Sequence, residues 1–297
     1  MGSITESSML ESLNRDGFVV VPSVLTPAQI DNLRIACQEV AKLGRAGGWP
    51  HVRTVPKQFP PWTVPEGSNP AEGGIWGVQF LMHPSLPRHD LFTATYFSDA
   101  LINPTKELMQ CEDDDLVMEL FNLLVAPPVD FELRWHRDDI SEKATAEEEL
   151  ERLAKPAWHT QWNLPLYEDS SLIVVSGSHK RARTEKERNA GPFEKGLPGE
   201  ILVNLRPGDI VFYNNNILHR GAYDHQKESM TLHGSVGHVR GNVERARNVL
   251  QHKVKEWIPE CDFSSMAESE RKRAEGMRER LIDLGTRVPI VGYSLEG

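Results

Sequence analysis

Between residues 116 and 239, short runs rich in β-branched and aromatic residues recur every 8 to 15 positions. They are Leu116 to Val125, Phe131 to Arg137, Trp158 to Leu166, Leu172 to Val175, Ile201 to Leu205, Asp209 to Tyr213 and Ser229 to Val236, with turns such as Glu168-Asp169-Ser170 and Pro207-Gly208-Asp209 between them. Strands this short and this regularly spaced bury their apolar faces only by folding over one another, so the spacing predicts a β-sandwich or barrel. Helical patterns flank it. Thr26-Pro27 opens a helix on which Ile30, Leu33, Cys37 and Val40 recur at helical spacing and Gly44 supplies the stop. Asn103-Pro104 opens another, Thr145 to Leu153 reads as an exposed charged insertion, and a last charged helix spans about Ser264 to Leu284. The expected class is α+β with a mainly β core. We expect one domain over 1–297: a helical and lid part to about 115, the core over about 116–240, and C-terminal helices from about 241.

From Gly44 to Gly74 the chain carries Pro50, Pro56, Pro60, Pro61, Pro65 and Pro70, with the aromatics Trp49 and Trp62. A long irregular segment that keeps large apolar side chains needs a surface to cover, and part of it is expected to lie over the substrate. The acidic run Glu112 to Asp115 and the basic run Lys180-Arg181-Ala182-Arg183 read as solvated surface.

Composition sets limits. The formal net charge of −10 argues against a nucleic-acid or anionic-membrane surface. No stretch approaches 18 consecutive apolar residues, so no membrane span is expected. Three scattered cysteines, with neither a leader pattern nor a peroxisomal ending, fit a reducing compartment, and a cytoplasmic monomer or homodimer acting on a small molecule is expected.

Eleven histidines raise the question of a metal. Trp135-His136-Arg137-Asp138 holds an HxD pair, and on a strand residues i and i+2 share a face, so His136 and Asp138 could offer an imidazole nitrogen and a carboxylate oxygen to one cation. Alone the pair is a weak signal. Eighty-one residues after Asp138, beyond the Pro207-Gly208-Asp209 turn and a strand, comes His219. A sheet that folds over could return it to the pair, giving two histidines and a carboxylate. Such a set leaves open octahedral positions and suits non-heme Fe(II) oxygenases, although zinc enzymes also use three protein ligands.

These motifs, with the entry Asn14-Arg15-Asp16-Gly17-Phe18-Val19-Val20-Val21-Pro22, the Thr26 to Ile30 helix start, His136-Arg137-Asp138-Asp139 and Val175-Ser176-Gly177-Ser178-His179, resemble the phytanoyl-CoA dioxygenase family over most of the chain. The family comprises iron- and 2-oxoglutarate-dependent oxygenases with a double-stranded β-helix, a cupin-like jelly roll. The resemblance implies Fe(II) held by His136, Asp138 and His219, with 2-oxoglutarate and O₂ as co-substrates and hydroxylation of an unactivated C–H as the outcome. His179 is then expected to make a loop hydrogen bond rather than to bind metal. His159, His225, His233 and His238 have no partner at ligand spacing, with His233 on a strand that could face it inward.

One departure stands out. The family usually carries an arginine 10 or 11 residues after the distal histidine to grip the far carboxylate of 2-oxoglutarate; here those positions are Ser229 and Met230. Strand alternation makes Arg134 the substitute, unless it pairs with Glu132 on the same face. Trp162 matches the family's tryptophan near the co-substrate, and Gln161 and Gln79 are candidates for polar contacts. The missing arginine also motivates a catalytically silent, ligand-binding relative, and the metal question leaves a zinc-dependent cupin-like enzyme open.

Overall fold

A computed structural model describes residues 8–62, 69, 72–241, 243–288 and 292–293, so Pro65 and Pro70 lie outside the described residues. Helix α1 (Ser8–Asp16) ends at Gly17, whose φ of +85° and contact with the His179 ring leave no place for a side chain. Strand β1 (Phe18–Val21) follows. Helix α2 (Pro27–Arg45) opens with a reciprocal cap in which Gln29 N donates to Thr26 Oγ1 and Thr26 N donates to Gln29 Oε1. Gly44 is not its stop. It lies inside the last turn, where its missing side chain lets the helix pack on Val52, Ile75 and Val78.

Part of the segment expected to be irregular is strand: β2 (Val52–Thr54) pairs antiparallel with β3 (Ile75–Val78). Helices α3 (His89–Tyr96) and α4 (Asp99–Met109) come next. The latter starts after Ser98, so Pro104 sits within it rather than opening it. The proline ring costs one internal hydrogen bond, and burial of Leu101, Ile102, Thr105 and Leu108 offsets that loss.

Then come β4 (Leu116–Val125), β5 (Phe131–Glu132), α5 (Ala146–Leu153), β6 (His159–Pro165), β7 (Leu172–Val175), α6 (Glu185–Asn189), β8 (Glu200–Leu202), β9 (Ile210–Tyr213), β10 (Leu218–Tyr223) and β11 (Met230–His238). Helices α7 (Val243–Leu250) and α8 (Glu268–Arg287) complete the described chain. The seven-stranded sheet runs β1-β9-β6-β11-β4-β3-β2 and the four-stranded sheet β5-β10-β7-β8. Of the eight consecutive strands β4 to β11, four go to each sheet. This is the expected double-stranded β-helix: long β11 registers against both β4 and β6 in one sheet, while β10 joins β5 to β7 in the other.

Strand alternation gives the larger sheet two unlike faces. Phe121 and Leu123 of β4, Trp162 and Leu164 of β6 and Leu232 of β11 pack into one apolar core with residues of α2, α3, α4 and α8. Their neighbours Leu120, Leu124, Gln161, Asn163, His233 and Ser235 face a cavity on the other side. Gly234 sits on the helix-covered face, where a Cβ would overlap the fully buried Trp162 ring. We predict that Gly234→Ala lowers stability by about 1–3 kcal/mol, the usual cost of overpacking, read as a lower denaturation midpoint with an unchanged denaturant slope.

Two surface expectations fail. Helix α5 is amphipathic with Glu149 completely buried, so it is not a free insertion. Of the basic run, Arg183 is not solvated either: its side chain is 10% exposed and pairs with Glu149, whereas Lys180 is exposed and Arg181 pairs with Glu187 while still open to solvent. The acidic run is a short 3₁₀ turn whose Asp113 pairs with Lys106 and Arg273.

Candidate metal centre

The strand expected over Phe131 to Arg137 stops after Glu132. His136 instead meets His219 in an isolated antiparallel bridge, each backbone N–H donating to the other's carbonyl at 3.0 Å. Asp138 N donates to Asn215 O at 2.9 Å. The HxD segment is thus clamped onto the loop before β10 and onto β10 itself. His219 stands second in that strand, which was not anticipated as a separate element.

Arg137 points the other way and is buried. Its guanidinium donates to Ser178 O and Arg181 O at 3.0 and 3.1 Å, and also to Asn216 O. Asp139 accepts from Arg152 at 2.8 Å and from Asn215. These bonds join the HRDD box to the turn at Ser178 and to the 214–217 loop. They hold His136 and Asp138 toward the cavity.

There, His136 Nε2 lies 3.5 Å and His219 Nε2 3.7 Å from Asp138 Oδ1, and the three ligand atoms all fall within 4.8 Å of one another. The ring centroids of the histidines are 4.3 Å apart. Both Nδ1 atoms face backbone carbonyls, His136 toward Arg134 O at 2.8 Å and His219 toward Ile217 O at 2.9 Å. A carbonyl only accepts, so each Nδ1 carries the proton and each Nε2 presents its lone pair to the cavity. Burial, with the neighbouring His136, pushes the His219 pKa down to about 4, which keeps that lone pair available at neutral pH. Burial by itself would raise the Asp138 pKa, but His219, His136 and a 3.0 Å hydrogen bond from Gln161 Nε2 outweigh it and hold the carboxyl ionised. Two neutral imidazole nitrogens and a carboxylate oxygen on one point fit a divalent transition metal.

The other sequence candidates scatter. Gln161 lines the cavity and orients Asp138. Trp162, the next residue on β6, necessarily faces the opposite side and packs on Phe121 in the helix-covered core, away from the cavity. Gln79 is buried beside β3, its backbone taking hydrogen bonds from Trp49 and giving one to His51, and its side chain is not part of the cavity wall. Arg134 does not follow strand alternation, because the strand has already ended. It stacks on Phe59 and pairs with Glu142 at 3.4 Å, outside the cavity wall, while Glu132 pairs with Arg220 at 3.0 Å. Ser229 turns to Asp169, and Met230 is buried in the apolar core.

His179 makes the expected loop hydrogen bond, to Asn14 O at 3.2 Å. His233 does face the cavity, its Nδ1 2.8 Å from Asn163 Oδ1, and His159 and His252 line it too. Arg53, Tyr213, Tyr223 and His252 were not singled out in the sequence. Arg53 and His252 lie far from any motif, and nothing local marks them. Phe59, Pro60 and Trp62 of the proline-rich segment form an apolar wall.

No protein-family model matches the chain, and no curated protein matches its sequence. Solved structures do. EctD from S. alaskensis with bound Fe is similar over 82% of this chain and 80% of its own, at 16% identity and a TM-score of 0.58. AviO1 from Streptomyces viridochromogenes Tue57 is similar over 80% and 96%, at 18% identity and 0.53. HygX from Streptomyces hygroscopicus, solved with nickel, 2-oxoglutarate and hygromycin B, is similar over 77% and 86%, at 17% identity and 0.52. The chain shares their fold. Among the described residues, no helix is long and apolar enough to cross a membrane.

Proposed function

We propose that this protein is an iron(II)- and 2-oxoglutarate-dependent oxygenase of the phytanoyl-CoA dioxygenase type, with His136, Asp138 and His219 as its metal ligands. The observation that carries the reading is the convergence of His136 Nε2, Asp138 Oδ1 and His219 Nε2 at a cavity between the two sheets, each imidazole fixed in tautomer by a backbone carbonyl. The similar folds of EctD, with Fe in one structure and 2-oxoglutarate and 5-hydroxyectoine in another, and of HygX support it.

When bound, the iron and 2-oxoglutarate supply the oxidising power, coupling O₂ reduction and loss of CO₂ from the oxo acid to oxidation of a substrate C–H. The chain supplies position and shelter. Three protein ligands leave positions on the metal for co-substrates. Gln161 holds the Asp138 carboxylate by one oxygen, leaving the other for the metal. Phe59, Pro60, Trp62, Trp76, Leu124 and Leu133 line the cavity and exclude water from the reacting atoms. Their character suits a small, fairly apolar metabolite, with Asn248 and His252 also in the lining for its polar groups.

Anaerobic titration of Fe(II)-loaded protein with 2-oxoglutarate tests this. A weak visible charge-transfer band is expected. Its absence from the wild type, or its persistence in Asp138→Ala, would overturn the assignment. Turnover with zinc but not Fe(II) would favour the zinc-enzyme alternative instead.

A further inference from the structure

The arginines around the cavity are matched with carboxylates, with one exception among the described residues. Arg220 pairs with Glu132, Arg245 with Glu119, and Arg134, just outside, with Glu142. Arg53, on edge strand β2, has no carboxylate within ion-pair distance among the described residues. It is 8% exposed and lines the same cavity as His136, Asp138 and His219. Its guanidinium lies 5.0 Å from the ring centroids of both Trp62 and Trp76, and its Nε is buried without a hydrogen-bond partner. Its cross-strand neighbour is Gly77, where a Cβ would fall 3.1 Å from Arg53 Cδ, so the absent side chain leaves the arginine stem its path.

Burial lowers the Arg53 pKa to about 10, an effect that Tyr223, Tyr213 and Asp138 partly counter, so the group remains cationic at neutral pH. A buried cation held only by two indole faces is incompletely compensated, because ring quadrupoles return a small part of its lost hydration. An anion entering the cavity would complete it. A planar guanidinium favours a carboxylate, which it can grip with two parallel N–H···O bonds.

We propose that Arg53 is the carboxylate anchor of this cavity and takes the far carboxylate of 2-oxoglutarate, the end not bound to metal. This rests on the function proposed above. It explains how the chain dispenses with an arginine 10 or 11 residues after His219: Met230 is buried in apolar core, Ser229 turns to Asp169, and Arg220 and Arg245 are paired with Glu132 and Glu119, so the anchoring charge comes from β2, early in the chain.

The test is calorimetric titration of anaerobic Fe(II)-loaded protein with 2-oxoglutarate and with pyruvate, a 2-oxo acid that lacks the far carboxylate. Wild-type protein should bind 2-oxoglutarate far more tightly. Arg53→Gln should weaken 2-oxoglutarate about 10- to 150-fold and leave pyruvate within about twofold, because only the charged hydrogen bonds to the far carboxylate are lost. Should Arg53→Gln fail to fold by circular dichroism, Arg53→Lys decides: it keeps the charge but not the bidentate geometry, and at least about a fivefold selective loss is expected. Unchanged 2-oxoglutarate affinity in the folded variant would overturn the proposal and leave Arg53 for a carboxylate on the substrate. Equal loss for both ligands would overturn it as well, showing a general effect on the site. Wild-type protein that binds no 2-oxoglutarate would instead overturn the oxygenase reading, and this inference with it.

Discussion

Asp138→Ala will abolish metal-dependent turnover and weaken Fe(II) or Mn(II) binding by more than about 100-fold, the upper end of what loss of an outer-shell partner costs. The carboxylate is the sole anionic member of the proposed ligand set, and His136 and His219 both point Nε2 at it from 3.5 and 3.7 Å. Gln161→Ala removes only the hydrogen bond that orients Asp138, and should cost about 10- to 100-fold in metal affinity with the ligand set intact. Both variants should stay folded. Asp138 belongs to no apolar cluster, and its backbone bond to Asn215 O survives the substitution. Equilibrium dialysis with circular dichroism on the same samples measures both quantities. Metal affinity of Asp138→Ala within a few-fold of wild type would remove Asp138 from the centre.

Glu149→Ala carries the largest expected loss of stability, about 3–5 kcal/mol, as when one partner of a buried ion pair is removed. Glu149 is completely buried on α5. One carboxylate oxygen accepts from Arg183 N at 2.7 Å and from Arg188 at 2.6 Å; the other accepts from Arg183 Nε and lies 3.9 Å from Arg137 Nε. Truncation would leave the side chains of Arg137 and Arg183, 1% and 10% exposed, with their charge uncompensated. Since Arg137 stands between His136 and Asp138, the damage should reach the metal: we expect weaker metal binding in Glu149→Ala than in the wild type, although no ligand has changed. Denaturant unfolding of metal-free protein gives the first effect, and metal titration under native conditions the second. A loss below about 1 kcal/mol would mean that water takes over the arginines and that α5 is dispensable after all.

The contrast between α5 and the strands shows where sequence reading succeeds. Strands β4, β6, β7, β9 and β11 were legible because a half-buried strand must alternate or run apolar, and turns such as Pro207-Gly208-Asp209 mark its ends locally. The cap at Thr26 was legible for the same reason, since its hydrogen bonds span three residues. Glu149 was not. Three consecutive glutamates look alike in sequence, and only the approach of Arg183, Arg188 and Arg137 from distant segments selects the last of them for burial. Arg134 lies outside the cavity lining for a related reason: the expected strand, and the alternation read from it, ran on to Arg137, five residues past the true end of β5.

The sequence by itself determined the jelly-roll core and the candidates His136, Asp138 and His219, because both rest on short-range periodicity and on a recognisable order of motifs. The tertiary structure alone decided how those three side chains meet, through a backbone bridge between His136 and His219 rather than a shared strand face. It alone turned Trp162 into helix-side core and brought Arg53 across from an edge strand to the cavity. Ligand atoms on one short motif are constrained by local geometry. A charge that enters from another part of the chain is placed by packing, which no local pattern records.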